Sequence, residues 1–127
     1  MILGIGTDFL NMEQIRESSL SPEDPFLQKT YTEQERSEAA RRSDPKSYYG
    51  TRFAGKEALF KAFRTHPDAM RLNEIEILTD SNGAPCVTFK GRARDAAEDM
   101  GVTAVHLSLT YDPPYTLAFA VLEGEER

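Results

Sequence analysis

The chain has 127 residues and a mass of 14.3 kDa, which predicts one domain spanning residues 1–127. With 39% hydrophobic and 28% charged residues it reads as a globular domain, and 15 basic against 21 acidic residues leave a net charge of −6, which argues against nucleic acid as a partner. No apolar run approaches the roughly 20 residues of a membrane span, Asp8 comes too early for a secretory signal, and the single Cys86 excludes an internal disulfide, so a cytoplasmic protein without membrane contact is expected.

Residues 2–8 are apolar and glycine-containing and read as a strand that lets another backbone approach closely. Residues 11–20, with Met12, Ile15 and Leu20 among polar residues, predict a short helix. Ser21-Pro22-Glu23-Asp24-Pro25 breaks it, with Ser21 as a candidate cap, and a further short helix passes through Phe26 and Leu27. Thr32-Glu33-Gln34-Glu35 has the form of a capping box and opens a helix to about Arg42. Ser43-Asp44-Pro45 starts the next segment, whose helix is predicted over residues 48–63 and ends before His66-Pro67.

In the second half, residues 73–79 alternate Ile75 and Ile77 against Glu74 and Glu76, the pattern of a half-buried strand. Asp80-Ser81-Asn82-Gly83 is a turn, and residues 86–89 return as a hairpin strand, with Cys86 expected to be a buried thiol. Residues 91–100 predict a helix closed by Gly101; strands follow over residues 103–110 and 116–122, joined at Asp112-Pro113-Pro114. Residues 123–127 are expected to fray. Helices first and antiparallel strands later predict an α+β fold, an antiparallel sheet packed with helices.

Three features carry candidate chemistry. On the helix through Arg52, Phe53, Lys56 and Glu57, the residues Glu57, Lys61 and Arg64 fall on one face, while Ala58, Leu59, Ala62 and Phe63 form a separate apolar face. A carboxylate with cations at this spacing could hold a metal and bind phosphate; a solvated face with an ordinary i, i+4 ion pair shows the same pattern. Asp8 ends an apolar strand, where it could offer carboxylate oxygen to Mg2+, which takes one or two protein carboxylates and leaves room for substrate phosphate; it could equally cap the segment that follows. On the strand around residue 107, Val105, Leu107 and Leu109 share one face and His106, Ser108 and Thr110 the other, which serves a polar ligand or is simply the wet side of the sheet.

Taken in order, these segments resemble holo-acyl-carrier-protein synthase, the small bacterial 4′-phosphopantetheinyl transferase family. The match rests on the opening strand to Asp8, on Phe26 followed by Tyr31-Thr32-Glu33-Gln34-Glu35, and on the signature helix Arg52-Phe53-Ala54-Gly55-Lys56-Glu57-Ala58 with Lys61. It continues through Asn82-Gly83-Ala84-Pro85 and His106-Leu107-Ser108-Leu109-Thr110 with Tyr115. The resemblance implies a 4′-phosphopantetheinyl transferase-like fold and transfer of the phosphopantetheine arm of coenzyme A to a serine of apo acyl carrier protein, releasing adenosine 3′,5′-bisphosphate. It implies Mg2+ on Asp8 and Glu57, catalytic roles for Glu57 and Lys61, and a homotrimer with sites between subunits. Coenzyme A binding is expected from Arg52, Lys61, Arg64, Pro85, Ser108 and Thr110.

The chain departs from the family pattern where Gln14 replaces an Arg that contacts the carrier protein, leaving Arg16 as the candidate there, and where Asn11 replaces an acidic residue. Arg64-Thr65-His66 replaces Gly-Thr-Gly, and Tyr111 replaces a His. These departures keep open a weak or inactive relative that binds coenzyme A or a carrier protein without transfer, and a module with no ligand at all.

Overall fold

The computed structural model describes the backbone of the whole chain and every side chain except those of Glu17 and Ser18. Strand β1 (Ile2–Asn11) is followed by a 3-10 turn at Met12–Gln14 and a second at Glu17–Leu20. Helices α1 (Pro25–Thr30), α2 (Glu33–Ala40) and α3 (Pro45–Ala62) come next. A third 3-10 turn, Leu72–Glu74, leads into β2 (Ile75–Thr79), β3 (Pro85–Phe89), helix α4 (Gly91–Met100), β4 (Val102–Asp112) and β5 (Tyr115–Gly124).

The architecture is α+β, as expected. β1, β5 and β4 form an antiparallel sheet in that order, and β2 pairs with β3 as a separate hairpin. One face of the larger sheet packs on α3. Gly4, Gly6 and Asp8 of β1 point to that face, in register with Leu122, Ala120 and Ala118 of β5, and Val105, Leu107 and Leu109 of β4 complete it. Helix and strand touch backbone to backbone: a Cβ on Gly4 would stand 1.9 Å from the Ala62 carbonyl oxygen, and one on Gly6 1.9 Å from that of Ala58. Glycine is the residue that permits this seam. Ala58, Leu59, Ala62, Ile75, Ile77 and Leu122 fill the core beside it, each wholly buried.

Several boundaries differ from the sequence reading. β1 continues three residues past Asp8, because β5 pairs with it as far as Asn11 opposite Tyr115. Residues 11–20 form two 3-10 turns with Arg16 between them, rather than one helix. Asn11 caps the first by accepting from the Glu13 amide at 3.0 Å, and the buried Met12 is pinned through its amide to the Pro114 carbonyl at 2.8 Å. The cap of α1 is Asp24, which accepts from the Phe26 amide at 2.8 Å with Pro25 in the first helical position, so Ser21 does not serve. The capping box at Thr32 and Glu35 is present. α3 begins at Pro45, capped by Asp44, and is a turn longer at its start than predicted.

β2 is not half-buried: Glu76 is buried along with Ile75 and Ile77, because its carboxylate accepts from the Thr32 hydroxyl at 2.7 Å and from Lys90 at 3.1 Å. Cys86 is exposed. The expected fraying of residues 123–127 gives way to pairing at their start. The Met1 ammonium donates to the Gly124 carbonyl at 2.9 Å, Gly124 returns an amide bond to Met1, and the Glu125 amide reaches Gly101 at 3.0 Å.

Candidate active site

Asp8, Glu57 and Lys61 meet where the edge strand β1 runs past the flank of α3. Asp8 belongs to the row that faces the helix, one step beyond the two glycines of the seam. Side chains on a helix lean toward its N-terminus, so Lys61 reaches back over the turn that carries Glu57. Its ammonium donates to the Asp8 carboxylate at 3.2 Å and to the Thr7 carbonyl at 2.9 Å. Asp8 is 16% exposed and Lys61 53%, so the cluster opens to solvent on the lysine side.

Burial, and then the charge of Asp8, push the Glu57 carboxyl above the usual carboxylate range; Lys61 pulls it back. Two carboxylates and one cation therefore share one patch of charge. Among the described residues no cluster of three or more His, Cys, Asp or Glu stands ready to hold a metal. Two carboxylates are the donor number Mg2+ takes when substrate phosphate and water supply the rest, so the donor set fits that ion.

The other predicted site residues lie apart from this patch. α3 ends at Ala62, and Arg64 follows in the left-handed conformation at φ 56°, so it does not continue the Glu57–Lys61 stripe. Arg64 instead lines a cleft of about 450 Å³ with Met1, Ile2, Leu3 and Asp99. That cleft is at the start of β1, about five residues or roughly 16 Å of strand from Asp8. Arg52 is buried on another side of α3. Its guanidinium donates to the Thr79 hydroxyl at 2.7 Å, lies 4.2 Å from the Tyr48 ring centroid and stands 4.0 Å from Glu38. Beside it is a recess of about 180 Å³ lined by Arg42, Ser47, Tyr48 and Thr51.

Pro85 borders a cleft of about 450 Å³ between the hairpin, α4 and β4, which also touches Cys86, Val105 and Leu107. Ser108 and Thr110 lie on the sheet face turned away from α3, opposite Phe119 and Leu117 in register. Arg16 and Gln14 are both exposed between β1 and α1.

Two properties escape the sequence pattern: the burial of Lys56 and the apolar character of the sheet face that alternation marks as polar. Lys56, next to Glu57, is wholly buried in an ion pair with Glu35. The second is the sheet face that carries Ser108 and Thr110. It also presents Ile5, Phe9, Leu117 and Phe119, with Phe9 at 65% and Ile5 at 58% exposure, and Phe9 stacks on Tyr115 at 5.2 Å. The signal for it was in β5, where residues 117–122 are apolar at every position and so suit burial on both faces.

The family model of the 4′-phosphopantetheinyl transferase superfamily matches residues 4–120. The holo-[acyl-carrier-protein] synthase of Natranaerobius thermophilus is 35% identical over 122 residues, covering 96% of this chain and 98% of that protein. The crystal structure of holo-[acyl-carrier-protein] synthase from Neisseria meningitidis superposes with a TM-score of 0.86 at 31% identity, over 97% of this chain and 99% of that one. The ACPS–CoA complex from Chronobacterium ammoniagenes superposes with a TM-score of 0.82 at 27% identity, over 97% and 98% of the two chains. Sequence and fold agree along almost the whole length, and the chain belongs to the 4′-phosphopantetheinyl transferase superfamily, as an enzyme of the holo-acyl-carrier-protein synthase family.

Proposed function

We propose that this enzyme moves the 4′-phosphopantetheine arm of coenzyme A onto a serine of apo acyl carrier protein, releasing adenosine 3′,5′-bisphosphate, with Mg2+ held by Asp8 and Glu57. The observation that carries this reading is the convergence of Asp8, Glu57 and Lys61 on one solvent-open flank, with Lys61 bridging to Asp8. Bound between the carboxylates, Mg2+ would offset the charge of the pyrophosphate and of the departing phosphate. The ammonium of Lys61 has three protons and spends two on Thr7 and Asp8, which leaves one for a phosphate oxygen. Glu57, directly or through a water, is placed to take the proton of the attacking serine hydroxyl. The serine oxygen bonds to the pantetheine-side phosphorus, the bridging P–O bond breaks, and its electron pair leaves with adenosine 3′,5′-bisphosphate. Such chemistry asks the protein mainly for positioning and charge.

The separation of Arg52, Pro85, Ser108 and Thr110 from the Asp8 patch supports a coenzyme A site assembled from more than one subunit. So does the uncovered apolar sheet face, which a monomer would leave in water. A homotrimer sharing this face, with Arg16 at the carrier-binding surface, is the assembly proposed. Lys61 is the cation of the cluster; Arg64, at the far end of β1, is left with a peripheral role.

The direct test is mass spectrometry of apo acyl carrier protein after incubation with enzyme, coenzyme A and Mg2+. A phosphopantetheinylated serine and released adenosine 3′,5′-bisphosphate are expected. An unmodified carrier together with a thermal shift on coenzyme A binding would assign the protein to binding without transfer. Light scattering on the parent and on Phe9→Asp tests the assembly: a trimer that dissociates is expected, and a monomeric parent would overturn it.

A further inference from the structure

The ammonium of Lys56 is closed off from water and has one acceptor for each proton: Glu35 Oε1 at 2.8 Å, the Leu72 carbonyl at 3.0 Å and the Ile75 carbonyl. Glu35 is as fully used. Its carboxylate accepts from the Thr32 amide at 2.9 Å and from the Ile77 amide at 2.8 Å as well as from Lys56. The Tyr31 ring lies 5.5 Å from the ammonium, and burial holds Lys56 below the usual lysine range, with Glu35 opposing the shift. One pair thus ties α3 to the start of α2, to the turn before β2 and to β2 itself.

Stability alone does not call for such a pair, since apolar side chains of the same volume are often as stabilising as a buried ion pair, or more so. Its directional bonds do something apolar packing cannot. Along α3, Lys56, Glu57 and Ala58 are successive steps of about 100°. Ala58 lies on the seam with Gly6, Lys56 is fastened to α2 and to the start of β2, and Glu57 projects from the flank between them.

We propose that Lys56 and Glu35 are the positioning residues of this enzyme: their buried pair fixes the roll of α3 and so aims Glu57 and Lys61 at Asp8. The inference rests on the transfer site proposed above. With side-chain tips about 5–6 Å from the helix axis, a roll of about 10° moves a tip by about 1 Å. A misplacement of about that size can cost on the order of 100-fold in rate.

The test uses Lys56→Met, Glu35→Gln and the control Met70→Ala, which loosens the same core without touching the pair. Each variant is characterised by its melting midpoint, by Mn2+ affinity of the coenzyme A complex from electron paramagnetic resonance, and by kcat and KM, all well below the midpoints. In Lys56→Met and Glu35→Gln, Mn2+ binding should weaken by about 10-fold and kcat fall by about 10–100-fold, with KM for the carrier within about twofold. Met70→Ala should lower the midpoint and leave Mn2+ affinity and kcat in place. If Lys56→Met does not fold, Glu35→Gln, which keeps an acceptor for Ile77, decides. Parent-like Mn2+ affinity and kcat in a folded pair variant would overturn the inference. Equal Mn2+ binding by the parent and Asp8→Ala would instead show that the two-carboxylate reading had failed, and the inference with it.

Discussion

Lys61 and Asp8, 53 residues apart in the chain, are joined by a 3.2 Å hydrogen bond across the meeting of α3 and β1. That bond links the edge strand to the helix on its open flank and brings a cation into the field of two carboxylates. Its consequences can be measured one residue at a time.

If Asp8 and Glu57 hold Mg2+ as proposed, Asp8→Asn and Glu57→Gln should each lower transfer by about 100-fold or more, because the loss of one anionic ligand would remove several kcal/mol of charge stabilisation. Both side chains lie at the margin of the core, so circular dichroism and melting should stay close to the parent. Parent-like turnover in either variant would remove that residue from the site.

Lys61→Ala should reduce kcat/KM for coenzyme A by about 10–100-fold, the loss expected for a charge-assisted hydrogen bond to phosphate worth about 1.5–3 kcal/mol. Arg64→Ala should cost far less, since Arg64 lines a different cleft. Raising the salt concentration should raise the KM of the parent and flatten the difference between parent and Lys61→Ala. The kinetic comparison at low and high ionic strength checks all three points.

Arg64 occupies the position just past the cap of α3 at φ 56°, where glycine carries no steric penalty. The glycine that the family resemblance implies at this position would have its physical reason here. Arg64→Gly should stabilise the fold by about 0.5–1 kcal/mol, the relief of left-handed strain less the added freedom of the unfolded chain. Calorimetry should show a midpoint about 2–4 °C higher, and an unchanged or lower midpoint would remove this explanation.

Glu74 contributes to the acid stability of the turn that leads into β2. Burial raises its pKa, but amide bonds from Arg71 at 2.7 Å and Arg92 at 2.6 Å, together with the Arg92 guanidinium, outweigh it and hold the carboxyl below the usual range. A folded value below the unfolded one gives stability that is present above about pH 4.5 and is lost as pH falls through the lowered folded value. Denaturant titrations at pH 7 and pH 3 should show a smaller acid loss in Glu74→Gln than in the parent. Gly91→Ala should mimic the loss at neutral pH, because its Cβ would stand 2.3 Å from the Glu74 carboxylate in a left-handed residue.

What the sequence disclosed was what short-range geometry controls. Thr32 and Glu35 are three residues apart, so the capping box could be read directly. Glu57 and Lys61 share a helix face for the same reason, and the two sides of β4 follow from alternation. The arrival of Asp8 beside them depends on tertiary packing, and only the family resemblance anticipated it. Sequence pattern discloses only the capping role of Glu35, because its second task, gripping Lys56 and Ile77, spans 21 and 42 residues. Alternation places Glu76 toward solvent, but Thr32 and Lys90 satisfy its carboxylate inside. Arg64 shares the Glu57–Lys61 stripe only on a helix that runs through residue 64, whereas α3 ends at Ala62 and Arg64 turns into the left-handed conformation.

The glycine seam also bears on engineering. Because α3 rests on β1 through the Ala58 and Ala62 carbonyls and not through interlocking side chains, main chain sets the gap between strand and helix. Hydrophobic substitutions elsewhere in the core, at Met70 or Val87 for instance, can be chosen for heat resistance without resetting that gap. A methyl group added at position 4 or 6 acts as a wedge, prising the helix from the strand and the two carboxylates with it. Designers therefore have wide latitude in the core and almost none at these two positions.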